Sequence, residues 1–145
     1  MRRVEYLSTQ REFKTLPADV LMEWNVVTIQ PTDSCRYAAS QLTKGGFGSL
    51  PVVDDQNRLL GIISEYDLLD LLREERNLAD VLVSEVMSKD VQVVQYDTPA
   101  KEICDILQNK HLIRVPVVHN GHLVGIVARR DVLLGYIKST AKYWP

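Results

Sequence analysis

Cysteine and histidine are scarce in this chain: Cys35 and Cys104, with His111, His119 and His122, are the full set among 145 residues. Two cysteines without a CxxC spacing give neither a disulfide framework nor a zinc ribbon, so no metal site and no cofactor are expected. His119 and His122 flank Asn120-Gly121, a pair that reads first as a hairpin turn with polar shoulders. No apolar run approaches the ~20 residues of a membrane span. The start Met1-Arg2-Arg3-Val4-Glu5 also lacks the apolar core of a signal peptide, so the expectation is a cytoplasmic chain with no membrane partner. Nor does one sign of charge dominate. Seventeen Lys and Arg against 19 Asp and Glu, mixed along the chain, leave a net charge of −2 and no broad footprint for a nucleic acid.

Catalytic signatures are missing as well. No histidine recurs at a matched position, no glycine-rich phosphate loop carries a lysine, and no nucleophile sits in a strand–turn–helix elbow, so no enzyme is expected. Gly45-Gly46-Phe47-Gly48 follows a helix rather than a strand and reads as a helix stop and turn. What is present is 46% hydrophobic and 25% charged residues, enough for one compact domain that buries most of its apolar surface.

The chain is written twice. An offset of 65 superposes Met22 on Met87, Val26 on Val91, Gln30 on Gln95, Leu42 on Leu107 and Pro51-Val52-Val53 on Pro116-Val117-Val118. One extra turn residue in the first copy then changes the offset to 64, and Leu59, Gly61, Ile62, Asp67 and Leu69 fall on Leu123, Gly125, Ile126, Asp131 and Leu133.

Each copy predicts β-α-β-β-α. The first strand is expected around Val26–Ile29 and Val91–Val94, and the following helix is capped by Asp33 or by Thr98, with Pro99 at the first helical position. Cys35, Ala38, Ala39 and Leu42 lie at i, i+3, i+4 and i+7, and Ala100, Ile103, Cys104 and Leu107 repeat that stripe, which makes both cysteines small core residues. Two strands follow, Leu50–Val53 to Leu59–Ile63 and Val115–Val118 to Leu123–Val127, with Asn120-Gly121 predicting a type I′ turn. A last helix runs from about Asp67 to Leu72 and from Asp131 to Ile137, and Arg73-Glu74-Glu75-Arg76 carries the first of these into a solvated linker. A unit of this size has one sheet face to cover, so the two copies are expected to pack sheet to sheet with pseudo-twofold symmetry in an α+β fold.

Pro-Val-Val, a turn, Leu-x-Gly-Ile-[Ile/Val] and an Asp opening an amphipathic helix, preceded by a Val-Met and a Val-Val-Thr-Ile start, resemble the CBS-domain pattern. It occurs twice, over roughly residues 18 to 138. The organisation expected is an N-terminal extension 1–17, repeats at 18–76 and 77–138, and a tail 139–145. The resemblance implies a Bateman module: paired CBS repeats, often a homodimer, that bind AMP, ADP, ATP or another adenosyl compound in clefts where repeats meet and regulate a partner, here in trans. The alternative is a dimerisation or docking scaffold with unoccupied clefts, its tail aromatics Tyr143-Trp144 serving as an interface anchor.

The resemblance places Asp67 and Asp131 where a carboxylate would hold a ribose. Ser64-Glu65-Tyr66-Asp67 equally reads as a capped helix start, with Asp67 on the positive end of the helix. Ser64 would also face a phosphate at that end. In the second copy Ala128 takes the place of Ser64, so Asp131 persists without a capping partner, which favours a ligand role for it. Arg114, Arg129 and Arg130 concentrate positive charge in repeat two, where the first copy has Ser49 and Glu65-Tyr66. Guanidinium groups suit phosphate oxygens, so the Asp131 site is expected to take a phosphorylated adenosine and the Asp67 site to be weaker, empty or suited to a less charged ligand. Adenine would lie near Val26-Val27, Val91, Pro51 and Pro116, each of which is otherwise an ordinary strand residue.

Overall fold

The structure is a computed structural model that describes residues 12–141. The expected interface anchor Tyr143-Trp144 and most of the N-terminal extension lie outside this range. The chain forms two compact units: a central unit, Val27–Val91, and a flanking unit made of residues up to Val26 together with those from Gln92 onwards.

In the central unit, helix α2 (Cys35–Gly45) leads to an antiparallel hairpin of β1 (Ser49–Val53) and β2 (Leu59–Ser64), then to helix α3 (Glu65–Arg73) and the short helix α4 (Val83–Val86). In the flanking unit, a 3-10 turn at Phe13–Thr15 and the short helix α1 (Ala18–Leu21) precede β3 (Val94–Gln95), helix α5 (Ala100–Asn109), the β4–β5 hairpin (Arg114–His119 and His122–Ala128) and helix α6 (Arg129–Thr140). The mixed α+β class and the duplicated order agree with the sequence reading. No helix among the described residues is long and apolar enough to cross a membrane.

The helical stripes are where periodicity put them, except that Ala39 and Cys104 are only half-buried against the cores. Cys35, Ala38 and Leu42 are buried on α2, and Ala100, Ile103 and Leu107 on α5. Gly46 stops α2 in the left-handed region at φ 64°, its N–H reaching the Leu42 carbonyl at 2.9 Å, a geometry that costs glycine nothing. Asn120 (φ 52°) and Gly121 (φ 79°) form the expected turn with both central residues at positive φ. The charged run ends its helix at Arg73 rather than extending it, and Glu75 turns the chain at φ 59°.

Other expectations need correcting. The strand expected at Val26–Ile29 is a single parallel bridge from Ile29 to Val52, and the one at Val91–Val94 shrinks to Val94–Gln95, paired parallel with Val117 and Val118. Helix α2 is capped by Ser34, whose Oγ accepts from Tyr37 N–H at 3.1 Å, not by Asp33. In α5 Pro99 stands at the cap position and Ala100 opens the helix. Asp33 and Thr98 nevertheless play matching parts, for each side chain accepts a backbone N–H three residues back, from Gln30 at 2.8 Å and from Gln95 at 2.9 Å. A short polar side chain that bonds locally in this way shapes the turn before the helix instead of its first orphan N–H.

The packed units are not the sequence repeats. The segment leading into repeat one docks on the body of repeat two: Ala18 N–H donates to Thr98, Asp19 N–H to Tyr96 and Ala100 N–H to the Leu16 carbonyl, while Glu23 and Ile126 exchange both backbone bonds. The segment leading into repeat two docks on repeat one through the same set, Val83 to Asp33, Ser84 to Pro31, Cys35 to Val81, and Ser88 with Ile62 in both directions. Leu16 and Leu21 are thereby buried with Ile103, Val115 and Val127, as Val81 and Val83 are with Ile29, Leu50 and Ile63. Each such side chain contributes about 1.5–3 kcal/mol by leaving water.

Candidate functional site

Both final helices begin where a strand ends, and their first turns carry most of the polar residues singled out in the sequence. In the central unit Ser64 caps α3. Its Oγ accepts from Asp67 N–H at 3.2 Å, and the Asp67 carboxylate accepts the Ser64 N–H at 2.8 Å, a complete capping box. A hollow of about 280 Å³ beside it is lined by Asp67, Asp70, Leu71, Glu74, Arg76 and Val86.

The flanking unit builds the same corner differently. Ala128 at the cap has no side-chain acceptor, yet its N–H still donates to the Asp131 carboxylate at 2.8 Å. The carboxylate's half of the capping box therefore survives without a hydroxyl, and the persistence of an acid at this position does not by itself point to a ligand. Asp131 is only 2% exposed. Arg114, the first residue of β4, is the register partner of Ala128. Desolvation pushes its guanidinium below the usual arginine value, and the Asp131 carboxylate opposes that shift. A buried acid and a half-buried base thus face one another electrostatically at the foot of α6.

Arg129 and Arg130 are exposed on the first turn of α6, and Arg129 N–H donates to the Ile113 carbonyl at 2.9 Å. They line a hollow of about 360 Å³ together with Ile113, Ala128 and Leu133. A neighbouring hollow of about 250 Å³ runs along Cys104, Leu107, Gln108, Arg129, Val132 and Leu133. The structure therefore brings Arg114, Arg129, Arg130 and Asp131 to one corner, and Ser64 and Asp67 to another. One corner presents arginine to solvent and the other mostly carboxylate.

Pro51 and Pro116 lie buried within β1 and β4, and the Pro51 carbonyl accepts from Ile29 N–H at 3.0 Å. Val26 and Val91 are half-buried and Val27 is exposed, all outside regular strands. None of the five is among the residues lining the three hollows just described. Sequence reasoning missed Ile113 and Leu133, which supply the apolar wall of the arginine hollow. A signal existed, because Leu133 falls off the buried stripe of its helix.

Both thiols are shifted upward. Burial first, then the charges of Glu85 and Asp67 against that of Arg76, raises the Cys35 thiol above its usual 9.0. Cys104 is raised too, chiefly by burial. Among the described residues no group of three or more His, Cys, Asp or Glu is placed to hold a metal ion.

Comparison with known proteins places this architecture. The pattern of the CBS domain matches residues 18–74 and 83–137. A 17.7 kDa protein of uncharacterized function from Acidianus ambivalens is 36% identical over 108 residues, which cover 74% of this chain and 65% of that protein. The chain spans smaller shares of other curated relatives, 57% and 23% of two of them. Among solved structures, protein MJ1225 from Methanocaldococcus jannaschii, described as a candidate archaeal homologue of g-AMPK, superposes with a TM-score of 0.74 at 26% identity, over 83% of this chain and 48% of that one. The domain pair of protein MJ0100, solved with 5-methylthioadenosine and S-adenosyl-L-methionine, superposes with a TM-score of 0.69 at 25% identity, over 82% and 98%.

Proposed function

Because the chain belongs to the CBS-domain family and carries two tandem CBS domains, we propose that it is a regulatory module that senses an adenosine nucleotide, AMP, ADP or ATP, and performs no chemistry of its own. The observation that carries this reading is the arginine-lined hollow at the start of α6. Arg129 and Arg130 stand at a helix N-terminus, where the positive end of the helix dipole and the guanidinium forks together favour a phosphate. Ile113 and Leu133 offer apolar surface for the rest of the ligand. The Asp131 carboxylate offsets part of the Arg114 charge, and the guanidinium groups that line the hollow are those of Arg129 and Arg130.

The adenosyl compounds held by MJ0100 support an adenine-containing ligand. The nucleotide, rather than an uncharged adenosyl compound, is favoured by the pair of arginines. The central unit's corner, with Asp67, Asp70 and Glu74 around its hollow, disfavours a polyanion and would take the less charged ligand. In the cytoplasm such binding would be relayed to a partner protein.

Calorimetric titration with AMP, ATP and S-adenosylmethionine tests the reading. Wild type should bind a nucleotide, and Arg129→Ala with Arg130→Ala should weaken it about tenfold or more, because charge-assisted bonds to phosphate are among the stronger polar contacts. Equal affinity in the double variant would remove the arginines from the site. Absence of any heat or melting-temperature rise with all three ligands would leave the second reading, a dimerisation scaffold. That reading has its own observation: Leu133, Tyr136 and Ile137 form a stripe on α6 that is 65%, 53% and 49% exposed. Sedimentation equilibrium measures it.

A further inference from the structure

We propose that the tip of the β4–β5 hairpin is a binding site for a late first-row divalent cation, held by the imidazoles of His119 and His122. These two residues are register partners across the strands, the last pair before the Asn120-Gly121 turn. Directly opposed residues present their side chains on one face, with Cβ atoms about 4.5–5.5 Å apart. Two imidazoles at that spacing can share one ion.

The local bonding prepares the rings. His122 Nδ1 lies 3.1 Å from the Asn120 carbonyl oxygen. A carbonyl only accepts, so this contact calls for the tautomer with hydrogen on Nδ1, which leaves Nε2 as the nitrogen that can bind an ion. A ring N–H given to a backbone carbonyl is the usual outer-shell support of a metal-ligating histidine, since it sets tautomer and orientation together. The His119 ring is held by Tyr96 in a T-shaped contact, with centroids 4.3 Å apart and planes at 72°. The side chain remains exposed.

The hairpin does not need histidines to close. The matching turn of the central unit is tied by Asp54, whose carboxylate accepts the N–H groups of Gln56 and Arg58, both at 2.9 Å, and it contains no histidine. A pair read from the sequence as polar turn shoulders is thus an addition to the fold. Imidazole suits copper, nickel and zinc rather than magnesium or calcium. With two protein ligands the ion keeps its other positions for water, which makes this an open site with Cu²⁺ preferred over Ni²⁺ and Zn²⁺.

The test uses untagged full-length protein titrated calorimetrically with Ni²⁺ and Cu²⁺. One equivalent should bind to wild type. His122→Ala, and His119→Phe, which keeps a ring against Tyr96, should each lose about tenfold or more in affinity while the circular dichroism spectrum stays native. Substoichiometric Cu²⁺ should broaden the wild-type amide resonances of residues 118 to 123 before any others. Failure of wild type to bind, wild-type affinity in either variant, or broadening centred on His111 would overturn the proposal.

Discussion

The Asp131 carboxylate accepts the backbone N–H of Ala128 at 2.8 Å, the same bond that Asp67 makes to Ser64 in the other unit. The two acids differ in what else surrounds them, because Asp131 is buried and acts on the charge of Arg114. Asp131→Asn should therefore destabilise the protein by about 1–2 kcal/mol, since it leaves a half-buried, solvent-screened guanidinium with less compensation. Asp67→Asn, whose amide oxygen can still accept the Ser64 N–H, should cost less, about 0.5 kcal/mol, the weight of a carboxylate charge at a helix N-terminus. Urea unfolding of the two variants compares them, and equal losses would show that Arg114 gains little from Asp131.

The incomplete box at Ala128 also predicts a gain. Ala128→Ser supplies a hydroxyl oxygen like that of Ser64, which accepts from Asp67 N–H, and should stabilise the flanking unit by about 0.5–1 kcal/mol. Ser64→Ala should produce the opposite shift of similar size in the central unit. Denaturation midpoints measured on both variants would show mirrored displacements.

Two matched glycines lie under crossing backbone. A Cβ on Gly61 would meet the Ser88 carbonyl at 2.6 Å, and one on Gly125 would collide with Met22 Sδ and meet the Glu23 carbonyl at 3.0 Å. Gly61→Ala should cost about 2–3 kcal/mol, because the obstacle is backbone that is itself bonded to Ile62. Gly125→Ala should cost less, about 1–2 kcal/mol, as the Met22 side chain can turn aside. A larger loss at Gly125, read from thermal unfolding, would contradict this order.

The exchanged lead-in segment makes a distant residue structural. Leu16 is fully buried in the flanking unit, so Leu16→Ala should cost about 2–5 kcal/mol despite lying before the first repeat. Hydrogen exchange should quicken across residues 94 to 127, which share its core, and less across residues 49 to 64. Uniform acceleration in both regions would mean that the lead-in does not belong to one unit.

The buried thiol Cys35 predicts a limit at alkaline pH. Its folded value is raised above 9.0 while the unfolded thiol ionises normally, so the folded state holds the proton more tightly. Its contribution is complete below the unfolded value and is lost as pH rises through the folded one. Thermal melts should fall more steeply above about pH 9 in wild type than in Cys35→Ala, each compared with its own midpoint near neutrality. Parallel curves would assign the alkaline loss to other groups.

Much of the fold was legible in the residues alone. The stripes on α2 and α5 were visible because burial of one helix face imposes a period, and the Asn120-Gly121 turn because positive φ at two successive residues selects few side chains. The caps of α2 and α5 were displaced by one residue, since Asp33 and Thr98 had a competing backbone N–H within reach. At the candidate site, the charges of Arg114, Arg129 and Arg130 could be read, but not their depth. Only packing decides that Arg114 and Asp131 go inward while Arg129 and Arg130 stay in water.

By itself the sequence determined the duplication, the kinds of element and the faces they bury, because propensity and periodicity act over a few residues. The tertiary structure alone decided which body each lead-in segment joins. Residues 16–23 and 81–88 carry nearly the same pattern and meet nearly the same partner surface, so no local rule distinguishes docking on their own repeat from docking on the other one. That choice belongs to the path of the whole chain, which must close each core with the segment that can reach it.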